Sequence, residues 1–193
     1  MEYIGLLNLA KAQPSLVDFK NLRMAFAASE HYAPYESDLE SEGSIAKLME
    51  EERYQEAINL INSLLEKNYV NLHLHLKAVL AYRKMELDTK ATNHRDFAFR
   101  LLDSIMNSGD GRSFDTAYVI IDTQEEHTMI AMLGFAFLQQ RLVKHDGHDY
   151  DILTIKDNKT GEESEIYFNI DIPIKWLDNN IDSDLGSGGQ YNS

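Results

Sequence analysis

The sequence predicts an α+β fold with its helices first and a small sheet last. Three observations carry this. Between about residues 14 and 107 the apolar residues recur near a 3.6-residue period. After Ser108 the pattern changes to short β-branched and aromatic runs separated by turn residues. The chain has 193 residues, 44% of them hydrophobic, enough to bury a core of ordinary size without a second domain.

Taken in order, Pro14 and Ser15 open a helical stretch to about Ser29, with Leu16, Phe19, Leu22, Met24 and Phe26 near helical spacing. His31 to Tyr35 contains Pro34, so it reads as a turn or extended piece. Asp38 to Gly43 is acidic and reads as a solvated linker. Ser44 can cap a helix over Ile45–Glu51. Arg53 to Lys67 places Tyr54, Ala57, Ile58, Ile61, Leu64 and Leu65 on one helical face, and Asn68 ends it. The next segment starts ambiguously, because VNLHLHLK alternates like a strand. It continues as KAVLAYRKMEL, and so Val70 to Leu87 is read as helix. Thr92 or Asn93 then caps a helix to Asn107 with Phe97, Leu101, Leu102 and Ile105 inward.

The second part begins at the SGDGRS loop, Ser108 to Ser113. Thr116 to Asp122 reads as a strand buried on both faces. Thr123 caps a short helix, Gln124 to Leu133, which Gly134 ends; Glu125 and Glu126 lie in its first turn, where the helix dipole favours acids. Phe135–Val143, Tyr150–Lys156 and Glu165–Asp171 read as three strands of an antiparallel meander, with DNKTG as a hairpin loop. Pro173 opens a short closing segment around Trp176 and Leu177. The organisation expected is a helical region over 1–107 and a small sheet region over 108–178 that share one core. A flexible tail follows over 179–193.

Composition excludes several function classes. There is no cysteine, so disulfides, thiolate nucleophiles and thiolate metal sites are out. With 32 acidic and 18 basic residues the net charge is -14, which makes nucleic acid and anionic membranes poor partners. No run approaches the ~20 apolar residues of a membrane helix, and the N-terminus lacks a basic region before its apolar stretch. The chain as written reads as cytoplasmic, although a leader removed beforehand would leave the same sequence.

Two resemblances follow from the residues. Ala57 and Ala91 are 34 residues apart, and Tyr82 and Ala98 fall in the same register on an aromatic and a small position. The helical part therefore resembles a degenerate tetratricopeptide pair, without that repeat's tryptophan, glycine and proline; a plain stack of α-hairpins explains the spacing equally. Separately, SGDGRSFDTAYVII, EEH, LGF, QRL, YDILTI and EIYFNID occur in the order seen in a bacterial family catalogued as domain of unknown function 4919. His75 and His94 match its pattern, whereas His127 stands where that family often has tyrosine. The resemblance covers about Phe19 to Trp176. It implies an αβ domain and brings no catalytic residues with it.

Candidate chemistry sits in three places. In the loop Ser108, Gly109, Asp110, Gly111, Arg112, backbone N–H groups and the guanidinium could cradle an anion. A helix stop and turn would use the same residues. His75 and His94, on neighbouring helices, could bind a metal or pass a proton, or simply hydrogen-bond across the hairpin. His145, His148 and Asp149, within HDGHDYD, could catch a divalent ion, or form a polar hairpin turn. Glu125, Glu126 and His127 lack the zinc-protease spacing, and no GxSxG or dinucleotide fingerprint is present. Tyr32, Tyr35, Tyr167 and Trp176 could line a pocket or belong to the core. No cofactor is expected. The function expected is a non-catalytic module that binds a protein or peptide. Two alternatives stand beside it: a hydrolase or metal-dependent enzyme that joins the SGDG loop to His75 and His94, and an immunity- or inhibitor-like acidic protein.

Overall fold

Asp18 shows how local chemistry sets the helix boundaries. Its carboxylate accepts the backbone N–H groups of Lys20 at 2.8 Å and Asn21 at 3.3 Å and so starts helix α2 at Phe19, while Pro14–Leu16 forms a separate 3-10 turn. The computed structural model describes residues 2–35 and 39–186. Its helices in the first part are α1 (Tyr3–Ala12), α2 (Phe19–Ala27), α3 (Leu39–Glu50), α4 (Tyr54–Lys67), α5 (Leu72–Lys84) and α6 (Asp88–Met106). The second part holds β1 (Tyr118–Val119), α7 (Thr123–Met132), β2 (Phe135–His145), β3 (His148–Asp157), β4 (Glu163–Asn169) and α8 (Asp171–Gly186). The architecture is α+β, with a four-stranded, mostly antiparallel sheet after the helices.

Several boundaries differ from the sequence expectation. The apolar N-terminal stretch is helix α1, which buries Tyr3, Leu7 and Ala10. The described part of the acidic 38–43 stretch is the first turn of α3, where Glu40 and Glu42 complement the helix dipole; Ser44 lies inside that helix, and Asp38 lies outside the described residues. Helix α6 begins at Asp88, so Thr92 and Asn93 are interior. Asn71 caps α5 by accepting the Leu74 N–H at 2.9 Å, which resolves the strand-like alternation of VNLHLHLK in favour of helix. Asp122, one residue before Thr123, caps α7 through the Gln124 N–H at 2.9 Å. The closing segment is helix α8, which runs past 178 to Gly186; residues 187–193 of the expected tail lie outside the described residues.

The 34-residue spacing recurs in the backbone. Helices α3 and α5 end at Glu50 and Lys84, and α4 and α6 start at Tyr54 and Asp88. Between them, Glu52 and Glu86 hold left-handed φ values of 59° and 57° at equivalent turns. Ala57, Tyr82, Ala91 and Ala98 are all buried where these helices touch. Small residues there let the helix axes approach closely.

In the sheet the order is β1-β4-β3-β2, with β1 parallel to β4 and the other pairs antiparallel. Asp146–Gly147 forms the two-residue turn between β2 and β3 with φ of 48° and 84°, the positive pair that matches strand twist. One apolar cluster draws on both parts of the chain: Phe19, Leu22 and Phe26 of α2 and Phe97, Leu101 and Ile105 of α6 meet Ile120, Ile121, Leu153, Ile155 and Phe168. A second cluster, around Ile45, Ile58, Ile61, Leu65, Ala78 and Tyr82, lies within the helical hairpins.

A buried ion pair bolts the parts together. Arg23 of α2 is 1% exposed and reaches Glu125 of α7 with two bonds, at 2.6 and 3.0 Å. It also donates to the Val119 carbonyl at 3.1 Å. Glu125 additionally accepts the Ile121 N–H at 2.9 Å. Both charges are thus met by fixed partners, the condition under which burying an ion pair is tolerable.

Candidate functional site

The residues nominated by sequence separate into three places. His75 is fully buried; its Nε2 hydrogen donates to the Tyr69 carbonyl at 2.9 Å, so its Nδ1 accepts from His94 Nδ1–H at 2.9 Å. Burial pushes His75 down to about 3, with the Tyr69 carbonyl opposing and His94 adding to the drop. Burial also lowers His94. His75 stacks on Phe97 with centroids 4.7 Å apart. Both nitrogens of His75 are thus bonded inside the helix hairpin, and burial disfavours a charge on either ring.

The SGDG loop lies beyond the far end of α6, fourteen residues after His94, a separation of about 20 Å at helical rise. The combined loop-and-histidine site is therefore not assembled. Within the loop, the N–H groups of Asp110 and Gly111 both donate to the Thr116 carbonyl, at 2.9 and 2.8 Å. The Arg112 N–H goes to the Asp110 carboxylate at 3.1 Å. Ser108 Oγ receives the Val119 N–H at 2.8 Å. These donors face the protein's own oxygens. The glycines serve close approach instead. A Cβ on Gly109 would sit 2.2 Å from the Thr116 carbonyl oxygen, and one on Gly111, at φ +68°, 2.4 Å from the Tyr118 ring. In HDGHDYD, His148 Nδ1 pairs with Asp171 at 2.5 Å, His145 stacks on Phe114 at 4.1 Å, and Lys144 reaches Asp149 at 3.5 Å. Among the described residues no group of three or more His, Asp or Glu side chains is placed to hold a metal ion.

A different region has the features of a site. A cleft of about 720 Å³ opens where α1, the segment after α2, the α4–α5 junction and the starts of α7 and α8 meet. Its floor is apolar and aromatic, from Tyr3, Leu7, Phe26, Tyr32, Ile121 and Trp176. Glu30, Glu42, Glu66 and Asp122 line it, against Lys67 as the lone lysine or arginine among the described lining residues. Tyr32 is fixed by donating to the Ile121 carbonyl at 2.6 Å and by an edge contact with Phe26. Gln124 bridges to Glu42 across the cleft. Trp176 stands beside Tyr35, ring centroids 6.2 Å apart.

Asp122 lines this cleft at the start of α7, while two buried acids near it, Glu126 and Asp151, are outside the lining. Burial pushes Asp122 up to about 7; the Gln124 N–H opposes the shift, and the charges of Glu125 and Glu42 add to it. Glu126, one turn further along the same face of α7, is fully buried and is pushed up to about 9 by burial and by Asp151 beside it. Neither Glu126 oxygen meets an N–H or hydroxyl donor. Its hydrogen-bond neighbour is the Asp151 carboxyl, so the contact exists only when the two share a proton. Asp151 is also raised by burial and accepts from Gln140 Nε2 at 2.7 Å.

The family model described as "Domain of unknown function (DUF4919)" matches residues 7–179. The chain belongs to this family. The matched span takes in both helical hairpins, the whole sheet and the first half of α8, so the cleft, Glu126 and Asp151 all lie within the DUF4919 unit. Comparison with the curated proteins and with the solved structures found no match. Among the described residues no helix is long and apolar enough to cross a membrane.

Sequence reasoning did not single out Asp122, Glu126 or Asp151 as a group, though each carries a signal. Glu126 precedes Met129 and Ile130 by three and four residues, which puts an acid on the apolar face of its helix. Asp151 alternates with Leu153 and Ile155, which puts an acid on the core face of its strand. An acid on a buried face is rare unless it has a partner or a task. Of the aromatics nominated, Tyr32 and Trp176 line the cleft and Tyr35 adjoins Trp176, whereas Tyr167 packs on Phe114 elsewhere on the sheet.

Proposed function

We propose that this domain is a non-catalytic binding module that holds a basic, partly apolar peptide segment in the cleft between its helical stack and its sheet. The single observation that supports it is the lining: an aromatic floor beneath four carboxylates opposed by one lysine. Apolar side chains of a peptide would bury against Tyr3, Phe26 and Trp176, and its cations would meet Glu30, Glu66 and Asp122. The acidic net charge speeds encounter with such a partner. The metal-dependent and hydrolytic alternative has less support, because the SGDG loop and the histidine pair are apart, both His75 nitrogens are bonded internally, and the Asp110 and Gly111 N–H groups turn to Thr116.

The chain has one tryptophan, Trp176, and it lines the cleft, so its fluorescence reports on this site alone. An eight-residue peptide alternating lysine with leucine should change that signal saturably. Its glutamine-for-lysine counterpart should bind at least tenfold more weakly. Glu30→Lys with Glu66→Lys, both exposed rim positions, should weaken the lysine peptide and flatten its salt dependence. Equal binding of the charged and neutral peptides would rule the reading out.

A further inference from the structure

Strand β2 forms one edge of the sheet and lacks the usual protection of an edge. It runs 11 residues, Phe135–His145, and pairs with β3 alone. Among the described residues no strand pairs with its outer side, so alternate N–H and C=O groups along it face outward. Phe137 to Leu142 are exposed in unbroken succession, and Leu142 is an apolar side chain at 64% exposure. Edges are ordinarily blunted by charge, proline or a bulge. This strand has no proline. Its bulge is at one end, between Phe137 and Gln139, and the ladder from Gln139 to His145 is regular. Its arginine and lysine are turned inward. Arg141 reaches over β3 to Glu165 of β4 at 2.8 Å, and Lys144 reaches Asp149 of β3 at 3.5 Å. Charge also favours one occupant. At a net charge of -14 two copies of the chain repel over most of their surface, yet His127 to His145 contains no Asp or Glu.

We infer that β2 pairs antiparallel with β2 of a second copy of this chain, about a two-fold axis through Leu142, and joins the two four-stranded sheets into one. A two-fold axis perpendicular to the sheet keeps each face continuous, so it must set one residue of β2 opposite itself. Centred on Leu142, the facing pairs are Leu142 with Leu142, Arg141 with Val143, Gln140 with Lys144 and Gln139 with His145. No like charges meet, and the exposed leucine gains an apolar neighbour. The adjacent registers are worse. Centred on Arg141, guanidinium faces guanidinium. Centred on Val143, Arg141 faces His145 and Leu142 faces Lys144. Centred on Gln140, the pairing runs into the bulge at Leu138. The inference is independent of the cleft reading, because no β2 residue lines the cleft.

The test uses the full chain. Sedimentation velocity over a concentration series should show a monomer–dimer equilibrium. Leu142→Lys changes an exposed position and sets lysine against lysine, so it should weaken the dimer at least tenfold while circular dichroism stays unchanged. A cross-link fixes the register. The chain has no cysteine, so Leu142→Cys supplies its sole thiol. Residues directly opposed in an antiparallel pair have Cα atoms about 4.5–5.5 Å apart, within disulfide reach, so mild oxidation should link two copies. Leu138→Cys should stay unlinked, because in this register its counterpart lies about 26 Å away at strand rise. A chain that stays monomeric throughout the series overturns the inference. So does a dimer that Leu142→Lys leaves intact, or a Leu138→Cys thiol that links as fast as the Leu142→Cys one. Capture of β2 by a different protein, while the chain alone stays monomeric, overturns it likewise.

Discussion

Glu126→Gln makes a prediction about stability that needs no ligand. The side chain has a pKa near 4.5 when unfolded and about 9 when folded. An acid whose folded pKa is raised holds its proton in the native state while the unfolded chain releases it. Its contribution is therefore fully present below about pH 4.5 and is lost as pH rises toward about 9. Each pH unit in that window costs about 1.4 kcal/mol. Most of the window is confounded, because His75 moves the other way. His75 is depressed to about 3, so the unfolded chain binds a proton that the native one refuses, and stability falls as pH drops below about 6.5. Above about pH 7 His75 is neutral in both states, and Asp122, with its raised value near 7, gives up its remaining proton within the first unit of the range. From about pH 7 to about pH 8.5 the slope should belong mainly to the Glu126–Asp151 pair. The wild-type chain should lose about 2 kcal/mol over that range, equivalent to about 4–8 °C in melting temperature for a chain of this size. Glu126→Gln should be nearly flat. Urea unfolding at closely spaced pH values, for both proteins, gives the two slopes directly. Parallel lines would refute a raised Glu126, and with it the claim that the pair shares a proton.

Other expectations follow from the same geometry. Arg23→Met leaves Glu125 buried without its partner and should cost about 3–5 kcal/mol by chemical denaturation, whereas Arg23→Met with Glu125→Leu should recover most of that loss in a double-mutant cycle. Gly109→Ala drives a methyl against the Thr116 backbone carbonyl and should cost more than about 3 kcal/mol or prevent folding; a variant of wild-type stability would contradict the docked loop. His94→Ala removes the donor to His75 Nδ1 and should cost about 1–3 kcal/mol, read by urea unfolding at neutral pH. Millimolar zinc or calcium should leave the melting temperature unchanged within error, and a saturable rise would mean that HDGHDYD or the histidine pair holds an ion after all.

How far the sequence could be read depends on how local each determinant is. The β2–β3–β4 meander was legible because alternation and two short turns are local signals, and the Asp146–Gly147 pair satisfies its turn with positive φ at both residues. The start of α3 was not, because an acidic run reads the same in a solvated linker as in a first helical turn; the difference is Ile45, buried at 2% exposure against neighbours distant in sequence. Helix α1 was missed for a related reason. Its contacts, such as Tyr3 on Phe26, are tertiary and outweigh a weak periodicity. The SGDG motif stands out in the sequence, and what its glycines serve is a close approach to residues seven or eight places ahead, which no residue type announces.

The pair Glu125–Glu126 shows where sequence reading runs out and physical reading takes over. In the sequence they are interchangeable: two acids in a helix's first turn, where the dipole alone would account for both. The fold separates them by one side chain, Arg23, which reaches Glu125 from α2 across 102 positions of sequence and does not serve its neighbour. If the first turn needed only negative charge, Glu126 could face solvent as His127 does. It faces inward instead, toward a second inward-facing acid on β3, and behind a third that lines a cleft. A core built for stability alone would place apolar residues at 126 and 151, since replacing a buried polar pair by well-packed apolar side chains is often stabilising. Retaining two acids there forgoes stability that apolar side chains would supply, and it makes that stability depend on pH through the raised Glu126 and Asp151.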